Sequence, residues 1–453
     1  MPFRLTEGPI RAASAVLAMF AVLSLGCAGA RAVNVPLERY SPTDAGRPRQ
    51  APRDPGRAVI YLAFSGGGTR AAAFAYGVME ELHATAIGAD PATSVLDEVD
   101  TVSGVSGGSF PAAYYGVYGD RIFQEFEARF LKRNVQGALL LRLLRPWNLI
   151  QVAFTPWLSR SDLAARYYDD NVFDGARFGD LHAAGGPRTY INATDLSSGT
   201  RVTFTRDTFE LICSDLDQLP ISAAVAASSA VPMLLSPITL RNYAGRCDYE
   251  APAWAREALA DPGSSRRVRQ SARNFENFRN AADKPFIHLI DGGISDNLGL
   301  RAGLDFLSTV GGARGAVVAR GIEVPEILAV IVVNAETDPN WTIDLSSAAP
   351  SFAQLMNTVA GSQIRRYNLE TLIALEGALA SLRLDLAEDG HDTQTFMVDV
   401  SFDELADPGR RTYFKRLPTS FVLTDGEVDE LREAGRRLLR DSPEFQALVE
   451  ALQ

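Results

Sequence analysis

Three glycine turns gather the residues that could do chemistry. The first, Gly104-Val105-Ser106-Gly107-Gly108, is a G-x-S-x-G between a strand-like run, Val99 to Ser103, and a segment that reads as a helix from Ser109 onward. A sharp strand-to-helix turn lifts a serine hydroxyl clear of a sheet, and flanking glycines permit the close backbone approach this needs. The pattern alone is weak, and a turn that merely packs closely is its structural alternative. The second turn, Ser65-Gly66-Gly67-Gly68-Thr69-Arg70, also joins a strand to a helix. Such a turn leaves N–H groups unpaired at a helix start, where they can receive a developing negative charge. It is no Walker loop, since no Gly-Lys-Ser/Thr follows. Gly66-x-Gly68-x-x-Ala71 approaches a dinucleotide fingerprint, but the second strand closes on Ser106 rather than on an acidic residue. An oxyanion hole serving Ser106 accounts for both turns. The third turn, Asp291-Gly292-Gly293, ends the apolar run Phe286 to Ile290. Open α/β sheets gather functional groups at strand ends, although an isolated Asp-Gly turn is commonplace.

These turns need a sheet to hold them. From Ala58 the chain alternates strand-like and helix-like segments, which predicts an α/β sheet with helices on its faces. Residues 58–64 and 327–333 read as buried strands, 70–82 as a helix, and 221–230 as a small-residue helix stopped before Pro232. Residues 189–195 and 201–205 read as a strand pair around a Ser-Ser-Gly turn. Beyond about 350 the pattern is helical, with a strand near 397–402 and one final amphipathic helix from about 427 to 452.

In order and spacing the motifs resemble the patatin-like phospholipases, a family of serine lipid acyl hydrolases. The resemblance runs from about 58 to 310 and is carried by five blocks: Ser65-Gly-Gly-Gly-Thr-Arg-Ala71, Gly104 to Gly108, Asn192-Ala-Thr-Asp195, Ser228 to Pro232 with Ser236-Pro237, and Asp291-Gly-Gly293. It implies a three-layer α/β/α fold with a mostly parallel central sheet and a mainly helical C-terminal extension. It also implies Ser106 as nucleophile, Asp291 as its general base in a two-residue dyad, and Gly66, Gly67 and Gly68 as the oxyanion hole. Arg70, Gly104, Gly108, Gly292 and Gly293 support these motifs. Ala71 stands where the family has glycine, a departure expected to affect packing more than chemistry. The substrate implied is a phospholipid or related acyl lipid, with no metal and no organic cofactor.

Histidine is scarce, with four residues in 453. A Ser-Asp-His esterase of the α/β-hydrolase order would need a histidine after Asp291, and only His391 qualifies, in the polar run 388–393. His288 lies three residues before Asp291 in a strand and so points to the other face. His83 and His182 read as surface or cap residues. A third reading is a lipid-binding lipoprotein with a vestigial site.

The formal net charge of -11 disfavours a nucleic-acid partner. At this length the chain divides into residues 1–26 as a signal peptide, 27–57 as a proline-rich tether, 58–335 as the catalytic domain with a helical insertion at 120–185, and 336–453 as an extension packed on it. The first segment has a basic start, an apolar run of about 15 residues and small residues before Cys27. It resembles a bacterial lipoprotein signal, with Cys27 lipidated and the protein exported to a membrane at the periplasmic face or the outer membrane. An ordinary secretory peptide is the alternative. Residues 128–161 contain no acid but hold Arg129, Lys132, Arg133, Arg142, Arg145 and Arg160 among leucines and tryptophans. Such a stretch suits an anionic lipid surface or a buried helical cover over the site. Arg266, Arg267, Arg269 and Arg273 read as a solvated face. Three cysteines build no disulfide scaffold, but in an exported protein Cys213 and Cys247 can pair.

Overall fold

The computed structural model describes residues 32–40, 57–88, 93–144, 160–231, 235–339 and 341–453. Cys27, the signal segment, Arg145 and the tryptophans at 147 and 157 lie outside the described residues. At the centre stands β1 (Ala58–Phe64). Its alternation sorts two cores: Ile60, Leu62 and Phe64 enter one, Tyr61 and Ala63 the other, because successive strand side chains face opposite ways. A strand covered on both faces reads as a continuous apolar run, which is how it shows in the sequence.

The other strands are β2 (Val99–Val105), β3 (Arg188–Asp195), β4 (Arg201–Thr203), β5 (Ile238–Arg241), β6 (Phe286–Asp291), β7 (Ile327–Asn334) and β8 (Gln394–Ser401). Their order is β5-β6-β3-β2-β1-β7-β8, with β4 beside β3. The run from β3 through β2, β1 and β7 to β8 is parallel. The contacts β3 with β4, β3 with β6 and β5 with β6 are antiparallel.

One face carries α1 (Gly68–Ala84), α2 (Ser109–Tyr118), α3 (Val135–Leu144), α4 (Arg160–Tyr168) and α5 (Ile221–Ser228). The other carries α6 (Arg301–Val310), α7 (Ala313–Arg320) and α8 (Phe352–Glu388), with Leu304, Ala313, Leu375 and Leu379 in the second core. The result is a mostly parallel three-layer α/β/α fold.

Two expectations about organisation change. The residues after 335 are woven into the domain: they supply the edge strand β8, the whole of α8, and α9 (Asp425–Asp441), which returns to the first face against α1. Gly77 and Gly435 make that helix contact close, since a Cβ on Gly77 would stand 2.0 Å from the Arg432 carbonyl. The single final helix is in fact two. Proline lacks an N–H and cannot continue a helix, so α9 stops and Pro443 opens α10 (Pro443–Leu452), capped by Ser442 Oγ accepting from Phe445 N at 3.2 Å.

Residues 32–40, expected as tether, are docked. Asn34 donates to Ser214 Oγ at 2.9 Å and to the Arg241 carbonyl at 3.0 Å. Leu37 is buried with the disulfide joining Cys213 and Cys247, whose Cα atoms are 5.5 Å apart.

Candidate active site

β2 ends at Val105, and Ser106 takes φ 49°, a left-handed conformation uncommon for a residue with a Cβ. Hydrogen bonds hold it there. Its N–H donates to Ser228 Oγ at 2.8 Å, and Ser228 in turn donates to the Asn192 carbonyl at 2.6 Å. Ser109 Oγ donates to the Ser106 carbonyl at 2.6 Å. Gly104 and Gly108 allow the turn to fold on itself, because a Cβ on Gly104 would lie 2.5 Å from the Gly108 carbonyl.

Asp291 reaches this turn from the opposite direction. β6 is antiparallel to β3, so its end is not one of the parallel strand ends the sequence reading assumed. It stops in mid-sheet, with Asp291 opposite Ala193 while the neighbouring Asn192 stands opposite Val105. Ser106 Oγ donates to Asp291 Oδ2 at 2.7 Å, and the Gly293 amide donates to Oδ1 at 2.8 Å. Burial pushes the carboxyl up to about 6, against the opposing pull of those two hydrogen bonds. Gly292 packs so tightly that a Cβ there would fall 2.1 Å from the Asn192 carbonyl. Thr194 Oγ1 donates to the Asp291 carbonyl at 2.8 Å, fixing the strand end.

The glycine turn after β1 lies against Ser106: a Cβ on Gly66 would stand 3.3 Å from the Ser106 Cβ. Its three amides are not equivalent. Gly66 N–H is already donated to the Asn297 carbonyl at 3.0 Å. The amides of Gly67 and Gly68 have no acceptor among the described residues. The expected oxyanion set therefore narrows to Gly67 and Gly68. Thr69 N–H donates to the Ser420 carbonyl at 2.9 Å, so the C-terminal region forms one wall of the turn. Arg70 points away from Ser106. Fully buried, it donates from Nε to the Ala335 carbonyl at 3.1 Å and from Nη1 to the Leu417 carbonyl at 2.6 Å.

No histidine among the described residues hydrogen-bonds Ser106 or Asp291. His391 lies in the turn between α8 and β8, its N–H donating to the Leu386 carbonyl at 3.0 Å, beside the edge strand and away from Ser106. His288 Nδ1 meets Thr239 Oγ1 at 3.0 Å, His182 meets Asp217 at 2.7 Å, and His83 stacks on Phe123. The Ser-Asp-His alternative thus has no geometry behind it. The acid-free stretch is not acid-free in space: Arg129 pairs with Asp174, Lys132 with Glu127 and Asp429, and Arg142 with Asp170.

Sequence reasoning missed Asn297, whose carbonyl occupies Gly66, and the structural work of Ser228 and Thr194 inside blocks it had noted only as blocks. A small apolar cavity of about 50 Å³ lies between α3 and α4, lined by Leu139, Leu140, Leu163, Leu235 and Phe421. Phe421 follows Ser420, which walls the glycine turn.

The family model described as patatin-like phospholipase matches residues 62–304. No curated protein matches the chain. Among solved structures, human GIVD cytosolic phospholipase A2 is similar at 9% identity, with a TM-score of 0.45 over 93% of this chain and 68% of that one. With the family match spanning more than half of the sequence, the chain belongs to the patatin-like phospholipase family, whose members are lipid acyl hydrolases.

Proposed function

We propose that the protein hydrolyses fatty-acyl esters of phospholipids or related lipids through a Ser106–Asp291 dyad and an acyl-enzyme intermediate. The observation that carries this reading is the 2.7 Å hydrogen bond from Ser106 Oγ to a buried carboxylate. Asp291 takes the hydroxyl proton as Oγ attacks the ester carbonyl. The oxyanion forms against the Gly67 and Gly68 amides at the start of α1, where unpaired N–H groups and the helix dipole favour negative charge. Collapse expels the lipid alcohol, which takes its proton from Asp291. The carboxylate, ionised again, draws a proton from water as its oxygen attacks the acyl-enzyme; collapse then breaks the Oγ–acyl bond, frees the fatty acid and returns that proton from Asp291 to Ser106 Oγ. A carboxyl poised near 6 suits both directions of transfer at neutral pH. The apolar cavity beside Phe421 is the natural berth for the start of the acyl chain.

The protein is further proposed to be exported and anchored through Cys27. The disulfide between Cys213 and Cys247 supports an oxidising compartment. The catalytic reading is tested with a fluorophosphonate probe and an acyl-lipid substrate. Labelling and turnover are expected in the wild-type protein and lost in Ser106→Ala and Asp291→Asn, both folded. Undiminished turnover in either variant overturns the dyad. Lipid binding without turnover or labelling in the wild type favours a vestigial site.

A further inference from the structure

Two adjacent cavities lie toward the end of the sheet opposite Ser106, where the parallel strands begin. The first, about 130 Å³, is lined by apolar residues of β1, β7, α6, α7 and α8, Leu304, Val330, Leu375 and Leu379 among them. An apolar cavity of about 150 Å³ is known to stay dry and to accept a hydrocarbon ligand. This one therefore suits the end of an alkyl chain. The second, about 550 Å³, opens beside β3 and presents Arg39, Arg188, Arg201, Arg206 and Arg320 against two acids, Asp207 and Glu210. Gly303, Phe306 and Arg320 line both.

The guanidiniums divide into two groups. Arg201 pairs with Asp305 at 2.9 Å and Arg206 with Asp217 at 2.8 Å. Arg188 and Arg320 have no ion pair among the described residues, and Arg320 rests over the Phe306 ring at 5.1 Å. Burial, and then repulsion from Arg320, holds Arg188 below the usual guanidinium range, with Asp100 and Asp207 as the acids that face it. Asp100 faces both guanidiniums but makes a salt bridge to neither, so two neighbouring cations share one carboxylate between them and keep a place for an external anion.

We propose that this double cavity binds a long-chain free fatty acid, its carboxylate between Arg188 and Arg320 and the end of its tail in the apolar chamber. The site is separate from the catalytic one. Arg188 pairs with Thr101 at the start of β2, and Ser106 follows the end of that strand, roughly 17 Å further at about 3.3 Å per residue. The binding does not depend on hydrolysis, so failure of either reading leaves the other standing.

The test uses the full chain carrying Ser106→Ala and the fluorescent fatty acid cis-parinarate, displaced by oleate, by oleyl alcohol or by lysophosphatidate. Saturable binding is expected, with oleate displacing far better than the uncharged alcohol. Arg188→Gln with Arg320→Gln should weaken parinarate binding at least tenfold, and Ala316→Phe, which fills the chamber, should weaken it as much. Both changes should leave fluorophosphonate labelling of Ser106 unaltered in the otherwise wild-type chain. Stronger displacement by lysophosphatidate than by oleate overturns the choice of a carboxylate head. Binding that ignores both sets of changes, or that in the wild-type chain disappears once Ser106 is phosphonylated, places the fatty acid in the catalytic groove and overturns the proposal.

Discussion

The Arg70 guanidinium donates to the Leu417 carbonyl at 2.6 Å across 347 positions of chain. With its bond to Ala335 it fastens residues 417–420 beside the glycine turn, where Ser420 accepts the Thr69 amide. A lysine has one ammonium and cannot span two carbonyls in this planar geometry. Arg70→Lys should therefore cost about 1 to 3 kcal/mol, the cost of the one buried carbonyl left without a donor. Lipase activity should fall with it although Arg70 touches no substrate. Urea unfolding and turnover measured together decide this, and unchanged values for both would remove Arg70 from the architecture of the site.

The raised Asp291 carboxyl fixes the pH behaviour. In the proposed dyad only the ionised form accepts the Ser106 proton, so the rate should fall about tenfold per pH unit below about 6, with no second limb from a histidine. Stability runs the other way. The folded-state value exceeds the unfolded one near 3.9, so the folded chain holds a proton between about pH 4 and 6 that the unfolded chain has released. The contribution of this group is thus fully present below about 4 and lost as pH rises through about 6. Asp291→Asn should be inactive yet more stable at pH 8, by at most about 3 kcal/mol, the gain vanishing near pH 4. Denaturation at the two pH values checks the sign.

Ser228 links the strained turn to β3. Removing its hydroxyl leaves the Ser106 N–H and the Asn192 carbonyl without their partner, so Ser228→Ala should cost about 1 to 3 kcal/mol and lower turnover. The adjacent Ser229 donates to the Val225 carbonyl at 2.7 Å and lies against the Tyr168 hydroxyl, with neither contact reaching the Ser106 turn. Ser229→Ala is the control, expected to keep turnover close to wild type. Equal losses in the two variants would mean that the Ser106 turn does not rely on Ser228.

What the sequence disclosed follows from which interactions are local. The three glycine turns were readable because a close approach or a left-handed residue demands glycine nearby, and both strands flanking the first core announced themselves as apolar runs. Direction was not readable: Phe286 to Asp291 looks the same whether the strand is parallel or antiparallel, and only its partner Ala193 settles it. Nor were long-range partners. Arg70 was noted as a motif residue, but Leu417 carries no mark of receiving it. The acid-free run at 128–161 looked cationic because Asp170, Asp174 and Asp429 lie outside it in sequence and beside it in space.

The two unpaired amides predict a large loss of rate with Ser106 and Asp291 both left in place. Gly68 adopts φ 64° with the Ser420 carbonyl 2.4 Å from where a Cβ would be, so Gly68→Ala must displace either that wall or the turn. In both cases the Gly67 and Gly68 N–H groups lose their aim at the oxyanion. Removal of one such donor lowers turnover by about 10² to 10³, and Gly68→Ala should fall in that range with KM little changed. Fluorophosphonate labelling should slow in parallel, because phosphonylation of Ser106 develops charge on the same oxygen. Backbone strain alone must be separated from this. Gly88 has a similar φ of 69° with nothing within 4 Å of a Cβ position, so Gly88→Ala carries comparable strain without the clash or the lost donors. It should destabilise modestly and retain full turnover per folded molecule; a matching loss of rate in Gly88→Ala would assign the effect to strain rather than to the oxyanion hole.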